Sequence, residues 1–146
     1  MERVHATCVA FRASRGWRAL LLPGPSGSGK SDLALRLIDG GARLVSDDQT
    51  EIRRARGRLL ATAPRTIDGL IEVRGVGIVR LTRDQLVTRV PLAVLVDLVP
   101  ARQIERLPKP EHESLLGVEL PRLAVNPFEP SAAAKMRLAF RQFAVA

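Results

Sequence analysis

Apolar residues follow two rhythms along this chain. Residues 4–11 are apolar-rich with β-branched members and predict a strand, Ser14-Arg15-Gly16 is a turn, and residues 17–22 predict a second strand. Between Lys30 and Ile38 the period lengthens. Leu33 and Leu37, with Ala34 and Ile38, share one face of a helix that Gly40-Gly41 ends. Residues 43–45 form a short buried strand running into Asp47-Asp48, and residues 51–54 and 58–61 flank Gly57 as a hairpin. Residues 70–73 predict another strand, followed by the turn Arg74-Gly75-Val76-Gly77. The longest buried-strand signal is residues 91–97. Residues 100–110 are polar and bounded by prolines, a loop with one short helical turn within 101–107. Residues 120–125 predict a last strand, and Ser131 is the N-cap of a helix through Phe143. Many strands, two helices and at least one hairpin predict an α/β domain with a mixed, strand-rich sheet.

Composition narrows this picture. A chain of 146 residues with 46% hydrophobic content suits one domain, residues 1–146, with one real core. Aromatics are only 3%, so Leu, Val, Ile and Ala must build that core. The scarcity of rings also argues against a platform for single-stranded nucleic acid. The net charge of +8 is spread evenly, and no dense basic arm exists, so nucleic acid is not an expected partner. The densest cluster is Arg53, Arg54, Arg56 and Arg58, which reads as solvated surface or as a patch for an acidic protein. Cys8 is the sole cysteine and sits in an apolar run, which predicts a buried small hydrophobe. The N-terminus lacks a signal-peptide layout, and no apolar run reaches membrane-spanning length. The expected setting is cytoplasmic, with no membrane.

Chemistry enters at Gly24-Pro25-Ser26-Gly27-Ser28-Gly29-Lys30-Ser31, a complete G-x-x-x-x-G-K-S phosphate-binding loop with a strand before it and a helix after it. Glycines let consecutive backbone N–H groups turn inward on an anion, and the following helix adds the positive end of its dipole. In such a loop Lys30 reaches the outer phosphates and the Ser31 hydroxyl sits on Mg²⁺. Three further features could complete a site. Asp47 and Asp48 lie at the carboxyl end of a strand, where ligands bind in α/β sheets. If the strand stays extended they point to opposite faces, and only one meets the phosphates. Glu72, on a short apolar strand, reads either as a solvent-facing residue or as a Mg²⁺ ligand. His5, on the first strand, reads either as a structural residue or as a titrating group. His112 lies in a Pro- and Glu-rich loop and reads as solvated.

In order along the chain, these residues resemble the bacterial HPr kinase/phosphorylase family. The phosphate loop is followed by Leu44-Val45-Ser46-Asp47-Asp48, similar to that family's Leu-Val-Ala-Asp-Asp segment. The stretch Ile71-Glu72-Val73-Arg74-Gly75-Val76-Gly77-Ile78 is similar to its most specific signature, and Ile104-Glu105-Arg106-Leu107 resembles its Asp-Arg-Leu element. His5 matches the family's histidine before the loop. The resemblance covers nearly the whole chain. It is strongest over residues 20–80 and weak after about residue 108.

The resemblance implies a P-loop kinase domain of the phosphoenolpyruvate-carboxykinase-like type. It further implies ATP-dependent phosphorylation of a serine on HPr, a small phosphocarrier protein of the sugar phosphotransferase system. The reverse activity would remove that phosphate with inorganic phosphate, giving pyrophosphate. Carried over by position, the loop residues 24–31 bind the nucleotide, Ser31 and Glu72 hold Mg²⁺, and Asp48 takes the serine proton. His5 assists or orients Asp48, Lys30 binds phosphates, and Arg106 steadies phosphoryl charge. A homo-oligomer, hexameric in the family, is the corresponding assembly. The chain starts at the catalytic domain, as in short alphaproteobacterial forms. Pro25 stands where the usual loop has Asp, and the segment around residues 120–126 is shorter than in the family. Two other readings of the same loop are a small-molecule kinase and a nucleotide-dependent regulatory module with little turnover.

Overall fold

The computed structural model describes residues 1–143, and the apolar-rich runs become strands as expected. The elements are β1 (Glu2–Ala13), β2 (Gly16–Pro23), α1 (Lys30–Asp39), β3 (Arg43–Ser46), β4 (Gln49–Ala55), β5 (Arg58–Thr62), β6 (Leu70–Val73), β7 (Gly77–Arg80), β8 (Val90–Leu98), β9 (Glu111–Leu115), β10 (Val118–Val125) and α2 (Ala132–Phe143). Two long strands organise them. The first residues of β1 pair with β4, and its later residues pair with β2 and β3. Likewise β8 begins against β5 and continues between β2 and β10. Pairings β2–β8 and β8–β10 are parallel and the other named pairings are antiparallel, so the sheet is mixed, as expected. The hairpin β6–β7 stands apart as a two-stranded sheet.

Alternation along the shared strands separates two apolar layers. Val9, Phe11, Leu20, Leu22, Val94 and Val96 face α1 and α2. Ala6, Cys8, Ala19, Leu21, Leu92 and Leu95 face the opposite side, against Ile52 and Leu59 of the β4–β5 hairpin. Both helices thus lie on one face. Where they meet, Gly40 leaves room for the Arg137 guanidinium, which would lie 1.8 Å from a Cβ placed there. That guanidinium donates to the carbonyls of Arg36 and Leu37, closing the free end of α1. Phe11 meets Phe140 edge to face with centroids 4.9 Å apart.

Several expectations are refined. β3 ends at Ser46, and Asp47-Asp48 form a turn in which Asp48 has φ 67°, so the strand does not run extended through the two carboxylates. The turn expected at residues 74–77 is present, but Gly77–Arg80 continues into a strand paired with β6. Residues 111–115, expected as loop around His112, form edge strand β9, whose partner is β10. Its side chains are almost wholly exposed, so no alternation marked it in the sequence. The helical turn in residues 101–107 shortens to Ala101–Gln103. Ser131 directly precedes α2, and its carbonyl accepts the Lys135 N–H. Cys8 is buried, as expected. No helix among the described residues is long and apolar enough to cross a membrane.

Leu37 is fully buried in the layer between α1 and the sheet. Replacing it with Ala should lower the unfolding free energy by about 2–5 kcal/mol, read as a lower urea midpoint at unchanged slope.

Candidate active site

The glycine-rich loop leaves β2 at Pro23 and enters α1 at Lys30. Its start is tied to β1, since Gly24 N–H donates to the His5 carbonyl. Gly24, Gly27 and Gly29 have φ of 151°, 85° and 94°, values that side chains resist. A Cβ at Gly24 would lie 2.8 Å from Ser28 Oγ, and one at Gly29 would lie 3.0 Å from Pro127. Ser28 Oγ is itself buried without a partner. An inward-turned backbone, an unpaired hydroxyl and a helix N-terminus are a donor set suited to a phosphate group.

Lys30 is only 3% exposed, unusual for a lysine. Its Nζ donates to the Pro25 carbonyl at 2.9 Å and lies 3.3 Å from Asp48 Oδ1. Pro25 therefore contributes a carbonyl where a loop carboxylate was expected by resemblance.

The turn at residues 46–49 assigns the two aspartates different tasks. Asp47 is buried, and its Oδ1 accepts from Thr7 Oγ1 at 3.0 Å and from Ser31 Oγ at 2.6 Å. Its Oδ2 accepts the Glu72 N–H at 2.9 Å. Asp47 thus joins β1, α1 and β6. Asp48 turns outward, and its Oδ1 meets His5 Nε2 at 2.7 Å as well as Lys30 Nζ. An ionised carboxylate only accepts, so His5 Nε2 carries the proton in that bond. Asp48 Oδ2 has no protein partner among the described residues and the side chain is 46% exposed, so one oxygen stays open to an incoming group. Partial burial pushes the Asp48 carboxyl up, but hydrogen bonds and charge from His5 and Lys30 outweigh it and hold it below the usual carboxylate range.

His5, the loop residues 24–31, Asp47, Asp48 and Glu72 are therefore brought together. The Ser31 hydroxyl donates to Asp47, which leaves its oxygen lone pairs free for a cation. The Glu72 backbone is anchored to Asp47, and its side chain is exposed. Among the described residues no cluster of three acidic, His or Cys side chains could hold a metal alone. The Ser31 hydroxyl and the exposed Glu72 carboxylate are oxygen donors of the type Mg²⁺ takes, one or two from protein with phosphates and water completing the shell. Arg106 is exposed on the segment before β9, and among the described residues no hydrogen bond or ion pair ties it to this group. The exposed Arg53, Arg54, Arg56 and Arg58 lie on the β4–β5 hairpin, also outside it.

Sequence reasoning missed Thr7. Its side chain is fully buried; Oγ1 donates to Asp47 and accepts the Asp48 N–H at 3.0 Å. One hydroxyl thus fixes both aspartates. The available signal was its spacing, two residues beyond His5 and so on the same face of the strand. Thr7→Val keeps the shape but removes that hydroxyl. It should cost about 1–3 kcal/mol, measured by denaturant unfolding. A second check is titration of Asp48 by carboxyl NMR. Its midpoint should lie below the ordinary range near 3.8 and rise in His5→Ala. Because the folded value is the lower one, the stabilisation from this pairing is present above the unfolded value. It disappears as pH falls through the folded one, so wild type and His5→Ala should converge in acid.

The profile of the HPr Serine kinase C-terminal domain family matches residues 3–136. The HPr kinase/phosphorylase of Geobacillus thermodenitrificans is 37% identical over 115 residues, covering 73% of this chain and 37% of that protein. The protein of the same name from Clostridium botulinum is 45% identical over 64 residues, covering 44% of this chain and 21% of that protein. The chain thus spans little more than a third of the first of these relatives, and less of the second. The solved structure of the HPr(Ser) kinase/phosphatase from Coxiella burnetii has the same fold, with a TM-score of 0.83 over 97% of this chain and 95% of that one at 23% identity. With the family profile covering all but the ends of the sequence, this chain belongs to the HPr serine kinase C-terminal domain family.

Proposed function

We propose that this domain is an ATP-dependent protein-serine kinase acting on an HPr-type phosphocarrier protein, and that it also runs the reverse phosphorolysis. The observation that carries the reading is Asp48. Its carboxylate stands beside the glycine-rich loop with one oxygen held by His5 and Lys30 and the other open. Relatives named HPr kinase/phosphorylase support the same substrate class. The fold and loop fit a P-loop kinase of the phosphoenolpyruvate-carboxykinase-like type.

In the forward direction the acceptor serine hydroxyl approaches Asp48 Oδ2. Its proton passes to that oxygen as the serine oxygen bonds to the outer phosphorus of ATP. The bond from that phosphorus to the bridging oxygen breaks, and ADP leaves with the electron pair. His5 holds Oδ1 and so aims Oδ2, while buried Lys30 steadies charge on the transferred group. Ser31 and Glu72 are the residues that would hold Mg²⁺, whose charge neutralises phosphate oxygens when bound. Arg106 would steady phosphoryl charge with the acceptor protein in place. In reverse, an oxygen of inorganic phosphate bonds to the phosphoserine phosphorus as the bond from that phosphorus to the serine oxygen breaks; the serine oxygen keeps the electron pair and takes the proton from Asp48, and pyrophosphate leaves.

The test is label transfer from γ-labelled ATP to a purified HPr protein. Asp48→Asn should reduce transfer about 10²–10⁴-fold while nucleotide binding persists. Lys30→Ala should weaken nucleotide binding itself. Adding inorganic phosphate to the labelled product should release labelled pyrophosphate. Nucleotide binding without transfer to any serine would overturn the kinase reading in favour of a regulatory module.

A further inference from the structure

A hollow adjoins the glycine-rich loop at Ser28. It has a volume of about 240 Å³ and is lined by Ser28, by Leu98, Val99 and Pro100 at the end of β8, and by Pro127 and Phe128 beyond β10. Ser28 belongs to both the loop and the hollow. No charged side chain lines it, although the chain as a whole carries a net +8.

Phe128 is 74% exposed, in a chain with only four phenylalanines. That exposed ring lines the uncharged hollow and lies beside the glycine-rich loop. The turn that carries it is held rigidly to the loop and its helix. Arg36 of α1 donates to the Pro127 carbonyl, and Asn126 Oδ1 accepts the Phe128 N–H at 3.1 Å. A Cβ placed on Gly29 would touch Pro127 at 3.0 Å and the Phe128 ring at 3.4 Å. The ring edge thus lies close to the loop backbone at Gly29.

We propose that this hollow seats the heterocyclic base of the nucleotide, with Phe128 as its stacking partner. The inference rests on the proposed phosphate-binding role of residues 24–31 and extends it to the other end of the same ligand. A molecule whose phosphates occupy the loop must direct its remainder along an adjoining surface. This surface is uncharged, apolar and continuous with the loop. A planar base with π-faces matches it, and the volume falls below the roughly 300–1,000 Å³ of sites that engulf a whole drug-sized ligand. Stacking on an aromatic side chain then supplies affinity with little polar reading of the base.

Equilibrium binding of ATP and of inorganic tripolyphosphate to wild type, Phe128→Ala and Phe128→Trp tests this. Phe128 is exposed, so neither variant should disturb the fold. Phe128→Ala should weaken ATP by about tenfold or more and leave tripolyphosphate unchanged. Phe128→Trp should keep ATP affinity, and its emission should be quenched by ATP but not by tripolyphosphate. Equal weakening of both ligands in Phe128→Ala would overturn the base seat, because the ring would then act through the loop. So would unchanged ATP affinity in that variant. A wild-type protein that binds neither ligand would overturn the phosphate-binding reading itself, and the base seat with it.

Discussion

A buried carboxylate without donors is among the costlier arrangements in a folded protein, and Asp47 is buried with three. They come from β1, from the first turn of α1 and from β6, segments separated by long stretches of chain. Satisfying this one group fixes the depth of the loop-bearing helix against the sheet. It also fixes the position of the β6–β7 hairpin that carries Glu72. The outward aspartate depends on the inward one, since the turn that buries Asp47 is the turn that exposes Asp48.

Asp47 and Asp48 illustrate how neighbouring identical side chains acquire different chemistry. One spends both oxygens on internal hydrogen bonds and acts as a fastener. The other has one oxygen gripped by His5 and Lys30 and one that faces outward. The grip lowers its proton affinity, which keeps it ionised across the neutral range at some cost to its strength as a base. That trade is compatible with the proton-transfer role proposed for Asp48.

The sequence disclosed what is local and periodic. The α1 face, the long core strands and the loop motif all follow from spacing within a few residues, and the structure places them as expected. The joining of His5, Asp47, Asp48 and the loop also agrees with the resemblance, although spacing alone left each residue's task open. What escaped was long-range or unpatterned. β9 has no buried face to produce alternation. Thr7 is an ordinary strand residue until the aspartate turn arrives beside it from about forty residues later. Pro127 and Phe128 meet Gly29 across almost a hundred residues, and nothing in either segment announces the other.

The parallel pairing of β2 with β8 has a further meaning for how this protein comes into being. The strand that leads into the glycine-rich loop lies beside one made some seventy residues later. Until that later strand emerges from the ribosome, β2 can pair only with β1. Its other edge stays open, an invitation to wrong partners. Non-local pairing of this kind slows folding, because loop closure must precede the contacts that reward it. The binding loop is thus encoded early in the message but takes its final footing late in synthesis. During that interval the nascent chain already carries the glycine-rich loop while lacking the strand beside which its leading strand finally lies.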